Sequence, residues 1–122
     1  MRVLIVDGAN VVGSRPDGWW RDRAGAARRL HQAIAAADLD GHSVVLVLEG
    51  GARRGQPAGE DDGIHTVHAS GSGDDAIVEH VGRRRTSGDD VVVVTADRAL
   101  RARVAAAGGS SVGPSWLLAR TS

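Results

Sequence analysis

Residues 91–97 are Val-Val-Val-Val-Thr-Ala-Asp, and residues 3–7 are Val-Leu-Ile-Val-Asp. A continuous run of branched apolar residues is typical of a strand that is buried on both faces, as in a parallel sheet. Each run is followed closely by an aspartate, Asp97 or Asp7. In open α/β sheets, ligands bind outside the carboxyl ends of the strands. We therefore expect both aspartates to lie at one edge of a parallel sheet.

Outward from these two runs, strands and helices alternate along the chain. Apolar patterns predict strands at residues 2–6, 43–48, 64–68, 91–94 and 110–112. Helical periodicity predicts helices at residues 21–37, 74–82 and 97–107 and a short closing helix from residue 114. Glycine and polar residues predict a loop at residues 8–20, a mobile loop at 50–63 and a polar turn at 83–90. This alternation predicts a single α/β domain over residues 1–122, a three-layer α/β/α structure with a central, mostly parallel sheet.

The composition excludes several kinds of protein and site. The chain has no Phe or Tyr and three Trp, so Val, Leu, Ile and Ala must fill its core. It has no Cys, which excludes disulfides and thiolate metal sites. No stretch is apolar enough to span a membrane, and the N-terminus does not resemble a signal peptide. We expect a cytoplasmic protein. Its formal net charge of +0 does not by itself indicate nucleic-acid binding.

Acidic residues recur at the predicted sheet edge. Asp7 is followed by Gly8, which permits a sharp turn, and by Asn10, which can return a polar group to the same edge. An Asx turn is the alternative explanation for this segment. Thr95 or Asp97 could similarly cap the next helix. Capping alone does not explain why carboxylates recur after several strands.

The pair Asp74 and Asp75 opens a predicted helix, and one of the two is expected to cap it. Glu79 follows Asp75 by four residues and shares its helix face, which requires a cation or an arginine nearby. Glu49 stands at the end of the second predicted strand. Clustered carboxylates repel one another unless a cation neutralises them, and Mg²⁺ and Mn²⁺ prefer such oxygen ligands. The sequence therefore predicts a metal-dependent enzyme.

Other motifs are less specific. His65 and His68 point to opposite faces of a strand, and no Ser-His-Asp arrangement is present. All basic residues are arginines, whose planar side chains suit phosphate. Trp19 and Trp20 lie near Asp7 in sequence and serve either as core anchors or as a base-stacking platform.

Three segments together resemble the NYN domains of the PIN-like nuclease superfamily, and within it the bacterial YacP-like group. They are residues 6–13 (Val-Asp-Gly-Ala-Asn-Val-Val-Gly), 73–79 (Gly-Asp-Asp-Ala-Ile-Val-Glu) and 94–98 (Val-Thr-Ala-Asp-Arg). The resemblance spans nearly the whole chain. It implies a PIN-like fold and an endoribonuclease that depends on Mg²⁺ or Mn²⁺ and acts on RNA.

The resemblance also implies roles for particular residues. Asp7, Asp75 and Asp97 would be the catalytic, metal-binding carboxylates, with Asp74 as an alternative to Asp75. Glu79 is a further candidate ligand on the ground of its spacing from Asp75 alone. The choice between Asp74 and Asp75 stays open, because Asp74 replaces a small residue that is common in the family. Glu49 stands where many relatives have Asp. Asn10 and Arg98 would contact the substrate, with Arg15 as a further candidate for binding phosphate.

Two other functions remain open at this stage. The first is a catalytically silent module that binds RNA or protein, which the neutral net charge favours. The second is a phosphatase, although Ala9 occupies the place where a phosphoaspartate mechanism requires a second aspartate. A homodimer or a protein partner is compatible with each of these functions.

Overall fold

The structure is a computed structural model that describes residues 1–121; Ser122, the last residue of the predicted domain, lies outside them. One sheet forms its centre. The strands are β1 Arg2–Asp7, β2 Ser43–Leu48, β3 Gly59–Asp61, β4 Ile64–His68, β5 Asp90–Val94 and β6 Ser110–Val112. Their order across the sheet is β3-β4-β2-β1-β5-β6. All neighbouring pairs are parallel except β3 and β4. The predicted α/β class with a mostly parallel sheet is thus confirmed.

Helices connect the strands. The α-helices are α1 Gly8–Gly13, α2 Arg23–Ala36, α3 Gly73–Thr86, α4 Arg98–Ala106 and α5 Pro114–Thr121. Two short 3₁₀ helices span Trp19–Arg21 and Gly50–Gly55. None of the helices within residues 1–121 combines the length and the hydropathy that a bilayer crossing requires.

Two apolar layers cover the sheet. Alternate residues of β1 point to opposite faces, so Leu4 and Val6 pack into one cluster while Val3 and Ile5 pack into the other. Helices α1, α2 and α5 contribute to the first cluster, and α3 and α4 contribute to the second. These four side chains, which form the centre of β1, are all fully buried. Because β1 is covered on both faces, the fold is the predicted three-layer sandwich.

Strand β1 lies at the point where the chain reverses its direction across the sheet. It pairs with β2 on one side and with β5 on the other. The connection that leaves β1 lies on the α2 side of the sheet and the one that leaves β5 lies on the α4 side, so the two diverge and open a crevice at the carboxyl ends of these strands. Asp7, which ends β1, and the segment that follows β5 meet at this crevice.

Three sequence predictions about connecting segments were wrong. The loop predicted at residues 8–20 contains α1 and a 3₁₀ helix, which are too short to show a clear period. The segment at residues 50–63 contains a 3₁₀ helix and β3, whose polar residues form a strand only through antiparallel pairing with β4. The polar turn predicted from residue 83 begins later, because α3 continues to Thr86. Its last turn holds three arginines, which the helix dipole favours.

The capping of α3 also differs from the prediction. The side chain of Ser72 accepts a hydrogen bond from the Asp74 backbone N–H and caps the helix. Neither Asp74 nor Asp75 is the cap, since both lie inside the first turn. Their carboxylates are thus not required for capping.

Candidate active site

Asp7 ends β1 at the crevice. Its Oδ1 accepts a hydrogen bond from the Asn10 backbone N–H at 3.3 Å and caps α1, while its Oδ2 accepts one from the Thr95 hydroxyl at 2.9 Å. The residue is 5% exposed. Burial raises the pKa of the Asp7 carboxyl, and the charges of Asp74 and Glu49 add to this effect, whereas the two hydrogen bonds oppose it. Folding therefore makes ionisation of Asp7 less favourable than it is in the unfolded chain.

Hydrogen bonds order the segment after β5 and join it to α1. The Asn10 side-chain oxygen accepts a hydrogen bond from the Ala96 backbone N–H at 2.8 Å. The Thr95 hydroxyl accepts one from the Asp97 backbone N–H at 3.2 Å. Asp97 in turn caps α4, because its Oδ1 accepts a hydrogen bond from the Leu100 backbone N–H at 2.9 Å. The predicted capping role of Asp97 is thus present, and the same bonds hold this residue at the crevice.

Helix α3 brings Asp74 to the same edge. Glu49 follows β2, and its Oε2 accepts a hydrogen bond from the Gly73 backbone N–H at 2.9 Å. This bond holds the first turn of α3 against the end of β2. Burial raises the pKa of the Asp74 carboxyl, the charges of Asp97 and Glu49 raise it further, and Arg103 opposes them. The charge of Asp75 adds a smaller effect of the same sign, so electrostatic coupling links Asp74 to Asp7, Glu49, Asp97 and, least strongly, Asp75.

We term four of these carboxylates, Asp7, Glu49, Asp74 and Asp97, the acidic edge. They come from the ends of two strands and the starts of two helices. Within residues 1–121, no arginine forms an ion pair with any of the four. The negative charge of the acidic edge is therefore not neutralised by salt bridges. Asp97 is exposed, but Asp7 is buried and Glu49 and Asp74 are half-buried, and unpaired carboxylates are unusual in such positions.

Asp75 and Glu79 lie outside the acidic edge. Asp75 Oδ1 accepts a hydrogen bond from Arg103 Nη2 at 2.9 Å, and Glu79 Oε1 lies 4.0 Å from Arg83 Nη2. Both carboxylates are largely exposed. Their spacing on one helix face predicted a cation or an arginine nearby. Each of the two has an arginine partner, Arg103 for Asp75 and Arg83 for Glu79.

The difference between Asp74 and Asp75 follows from helical geometry. Asp74 precedes the buried Ile77 by three residues and so shares its inward face, whereas Asp75 is turned away from that face. The spacing of three residues from Asp74 to Ile77 is visible in the sequence. It distinguishes Asp74 from Asp75 only when Ile77 is known to be buried.

Arg98 and Asn10 lie beside the acidic edge. Arg98 is the first residue of α4 and is exposed, and it forms no ion pair with another described residue. Asn10 is half-buried, and its side-chain oxygen is already engaged by Ala96. Its amide N–H groups are the part of the side chain that is left to contact a substrate.

A cleft adjoins the acidic edge and shares Glu49 with it. The cleft has a volume of about 340 Å³. Its walls include Val12, Trp19, Arg23, Leu48, Ala52 and Gly71. The guanidinium carbon of Arg23 lies 5.0 Å from the centroid of the Trp19 ring. The sequence left Trp19 open between core packing and base stacking, and the structure places its ring in the wall of this cleft.

The chemistry of the acidic edge fits a hard divalent cation. All four side chains offer carboxylate oxygens, which Mg²⁺ and Mn²⁺ prefer. No three His, Asp or Glu side chains in the part of the chain that the structure describes are close enough to bind one ion together. Mg²⁺ commonly retains several waters and binds through one or two carboxylates. Two carboxylates and several waters would be enough to hold such an ion, and Asp7 and Asp74, whose pKa values are raised, would gain most from a nearby positive charge.

Comparison with known families decides the relationship of this chain to other proteins. The family model of the YacP-like NYN domain matches residues 4–121, from β1 to α5. The chain belongs to the YacP-like NYN domain family. The NYN domain has a nuclease-like fold. The resemblance noted in the sequence is thereby confirmed.

Solved structures agree with this assignment. The crystal structure of Rae1 (YacP) from Bacillus subtilis matches with a TM-score of 0.77 and 19% identity, over 98% of this chain and 72% of that chain. A point mutant of the same protein matches with a TM-score of 0.78 and 19% identity, over 98% of this chain and 74% of that one. At this identity the likeness shows a shared fold. No curated protein has significant sequence similarity to this chain.

Proposed function

We propose that this YacP-like NYN domain is a Mg²⁺- or Mn²⁺-dependent endoribonuclease that hydrolyses RNA phosphodiester bonds at the acidic edge. The observation that carries the proposal is the convergence of four carboxylates, without arginine partners among residues 1–121, in the crevice beside β1. Carboxylates with raised pKa values in a cleft indicate a functional site. The nuclease-like fold of the family supports a phosphodiester as the substrate.

The proposed roles follow from the contacts of each side chain. Asp7 and Asp74 are the main candidates to bind the cation directly, and Asp97 and Glu49 would contact it through bound water. A bound divalent cation supplies Lewis-acid stabilisation of the charge that develops on the phosphoryl oxygens. Asp75, which the family resemblance nominates as a ligand, has Arg103 as its partner, so we assign the ligand role to Asp74.

Substrate contacts come from groups that have no other partner. Arg98 presents an unpaired guanidinium at the start of α4, which suits a phosphate of the bound strand. The amide of Asn10 is positioned beside Asp7 to donate a hydrogen bond. The hydrogen bond from the Ala96 N–H orients the Asn10 amide, while the Arg98 side chain is exposed.

The test is cleavage of a labelled single-stranded RNA in Mn²⁺ by the wild type, Asp7→Asn and Asp97→Asn. Asn is also a good helix cap, so both variants should keep the fold, which circular dichroism checks. We expect at least a hundredfold loss of cleavage in each variant and none in the control Asp62→Asn, which changes an exposed carboxylate in a turn. Cleavage of a closed circular RNA by the wild type tests endonucleolytic attack. Full activity of both variants would contradict the proposal.

The second candidate is a binding module without catalytic activity, and a specific observation favours it. Glu49 and Asp97 each accept a hydrogen bond from a backbone N–H at the start of a helix, so both have structural roles. A module of this kind would bind RNA in the presence of a chelator and cleave no member of a panel of RNAs. Metal-dependent cleavage that is lost in Asp7→Asn would exclude it.

A further inference from the structure

We propose that the cleft beside the acidic edge binds one unpaired nucleobase of the RNA, stacked on Trp19, while Arg23 contacts the phosphate next to that base. This inference rests on the proposed function, because it names the part of the RNA that the site recognises. It assigns a role to a cleft and two side chains that the acidic edge does not use.

Trp19 is not explained by core packing. Trp116 packs against the apolar cluster on the α2 side of the sheet, whereas Trp19 contributes to neither cluster. Its ring lies near Gly13 and forms an edge contact with Trp20, the ring centroids being 6.0 Å apart. The ring is half-buried and lines the cleft. An aromatic ring in this position is a surface on which any base can stack, because every base has a π-face.

Arg23 supplies a positive charge at the same place. Its guanidinium stands over the Trp19 ring at 5.0 Å and forms no ion pair with another described residue. A cation over a tryptophan ring is attracted to it, so this contact keeps the guanidinium beside the ring, and a base that stacks on this ring face would move the guanidinium aside to the adjoining phosphate. The planar guanidinium matches the geometry of phosphate. The cleft therefore combines an apolar stacking surface with a charge that complements the RNA backbone.

The position and size of the cleft suit a nucleotide next to the scissile bond. Gly8 and Ala9, which directly follow Asp7, form part of its wall, and Glu49 belongs to both the cleft and the acidic edge. Val12, Leu48 and Ala52 provide apolar surface. Its volume of about 340 Å³ is near the lower limit of about 300 Å³ for ligand pockets, which allows one base but not a duplex. Unpaired bases are also those that proteins stack on aromatic side chains.

The test measures binding of a fluorescein-labelled single-stranded RNA heptamer and of copies with an abasic ribose at each position in turn. Fluorescence anisotropy is recorded in calcium buffer, and a gel verifies that the probe stays intact. We expect one position at which loss of the base weakens binding to the wild type by about tenfold, as stacking predicts. Trp19→Ala should weaken binding of the intact RNA by about tenfold and should not change binding of that abasic RNA. Trp19→Phe should restore most of the affinity.

Matched variants separate the cleft from general effects on the surface. Trp20→Ala removes the neighbouring, more exposed ring and should change binding by less than twofold. Gly71→Leu should fill the cleft and weaken binding of the intact RNA about tenfold, since a Cβ at Gly71 meets no atom within 4 Å and the variant should fold. A Cβ at Gly82, which lies outside the cleft, also meets no atom within 4 Å, so Gly82→Leu should bind the RNA as the wild type does.

The possible results separate this inference from the proposed function. Equal binding of all abasic probes, or equal loss of intact and abasic RNA binding in Trp19→Ala, would overturn the base subsite even if the wild type cleaves RNA. Base-dependent binding without metal-dependent cleavage would support the subsite and contradict the nuclease. A cleft that takes a peptide instead would give no base-dependent binding, and so would also overturn the inference.

Discussion

The Thr95 hydroxyl donates a hydrogen bond to Asp7 Oδ2 at 2.9 Å, although the two residues are 88 positions apart in the chain. Both residues are buried; Asp7 ends β1, and Thr95 directly follows the neighbouring strand β5. This bond orients the most buried carboxylate of the acidic edge and lowers the cost of its ionisation. The geometry of the site therefore depends on the pairing of β1 with β5.

Thr95→Val should destabilise the protein by about 1–3 kcal/mol, because a buried carboxylate oxygen loses its hydrogen-bond donor. The same change should raise the pKa of Asp7 further and move the acid limb of the cleavage profile to higher pH. Urea unfolding and a pH–rate profile measure the two effects. Thr95→Ser keeps the hydroxyl and should restore most of both. An unchanged pH profile in Thr95→Val would mean that this bond does not tune Asp7.

Asp74→Asn should reduce metal-dependent cleavage by at least about tenfold, whereas Asp75→Asn should keep most of the activity. The two changes are chemically identical and one residue apart, so each is the control of the other. Asp74 is coupled to Asp97 and Glu49, while Asp75 is paired with Arg103 at the surface. Initial rates of RNA cleavage at saturating Mn²⁺ decide the question. The reverse ranking would assign the ligand role to Asp75.

The free energy of unfolding should depend on the titration of Asp7. Its pKa is raised above the ordinary value of 3.8, so the folded state binds this proton more tightly than the unfolded chain does. The resulting stabilisation is fully present below about pH 3.8 and is lost as the pH rises through the raised pKa. Asn does not ionise, so the Asp7→Asn variant has no such loss. Its free energy of unfolding relative to that of the wild type should therefore increase as the pH rises from about 3.8 through the raised pKa. Urea unfolding in chelator at several pH values tests the sign, which a flat or falling difference would contradict.

Mg²⁺ or Mn²⁺ should raise the Tm of the wild type in a concentration-dependent way, because a cation that binds only the folded state stabilises it. A chelator should reverse the change. The rise should be smaller in Asp7→Asn and in Asp74→Asn, and Asp75→Asn should respond as the wild type does. Differential scanning fluorimetry detects binding without any need for activity. Equal responses in all four proteins would place the bound ion elsewhere.

Gly8→Ala should destabilise the protein by about 1–3 kcal/mol, since overpacking forces a shift of the backbone. An added Cβ would lie 2.6 Å from the Val47 carbonyl oxygen and 2.9 Å from Leu48 Cδ2. Helix α1 would move with it, and cleavage should fall because α1 carries Asn10. Gly13→Ala is the matched control, because it lies in the same helix and its nearest non-local atom is 3.7 Å away. Equal stability of both variants would show that α1 adapts to the extra atom.

Much of the fold was predictable because three of the described strands, β1, β2 and β5, are apolar runs that are stable only when buried. The strands predicted at residues 43–48, 64–68 and 110–112 have the observed bounds, and the other two differ by one residue at one end. The elements that were missed lack such a signal. Strand β3 consists of the polar segment Gly59–Asp61 and pairs with no strand other than β4, while α1 is too short to show a period.

The sequence predicted the chemistry of the candidate site, a cluster of carboxylates, but not which carboxylates form it. Acidic residues after apolar strands indicated a carboxylate cluster, and the acidic edge contains Asp7, Asp97 and Glu49. The choice of Asp74 over Asp75 needed the burial of one helix face. The cleft lined by Trp19 was also invisible in the sequence, because its walls come from segments that meet only after folding.

The sequence by itself determined that this chain forms a parallel α/β sheet with carboxylates near the strand ends, because burial of branched apolar residues is a local property of each segment. Only the tertiary structure decided which carboxylates converge without arginine partners, and which aromatic ring lines the cleft beside them. Those relationships join residues that lie far apart in the chain, so they arise from the order of the strands and the packing of helices on the sheet.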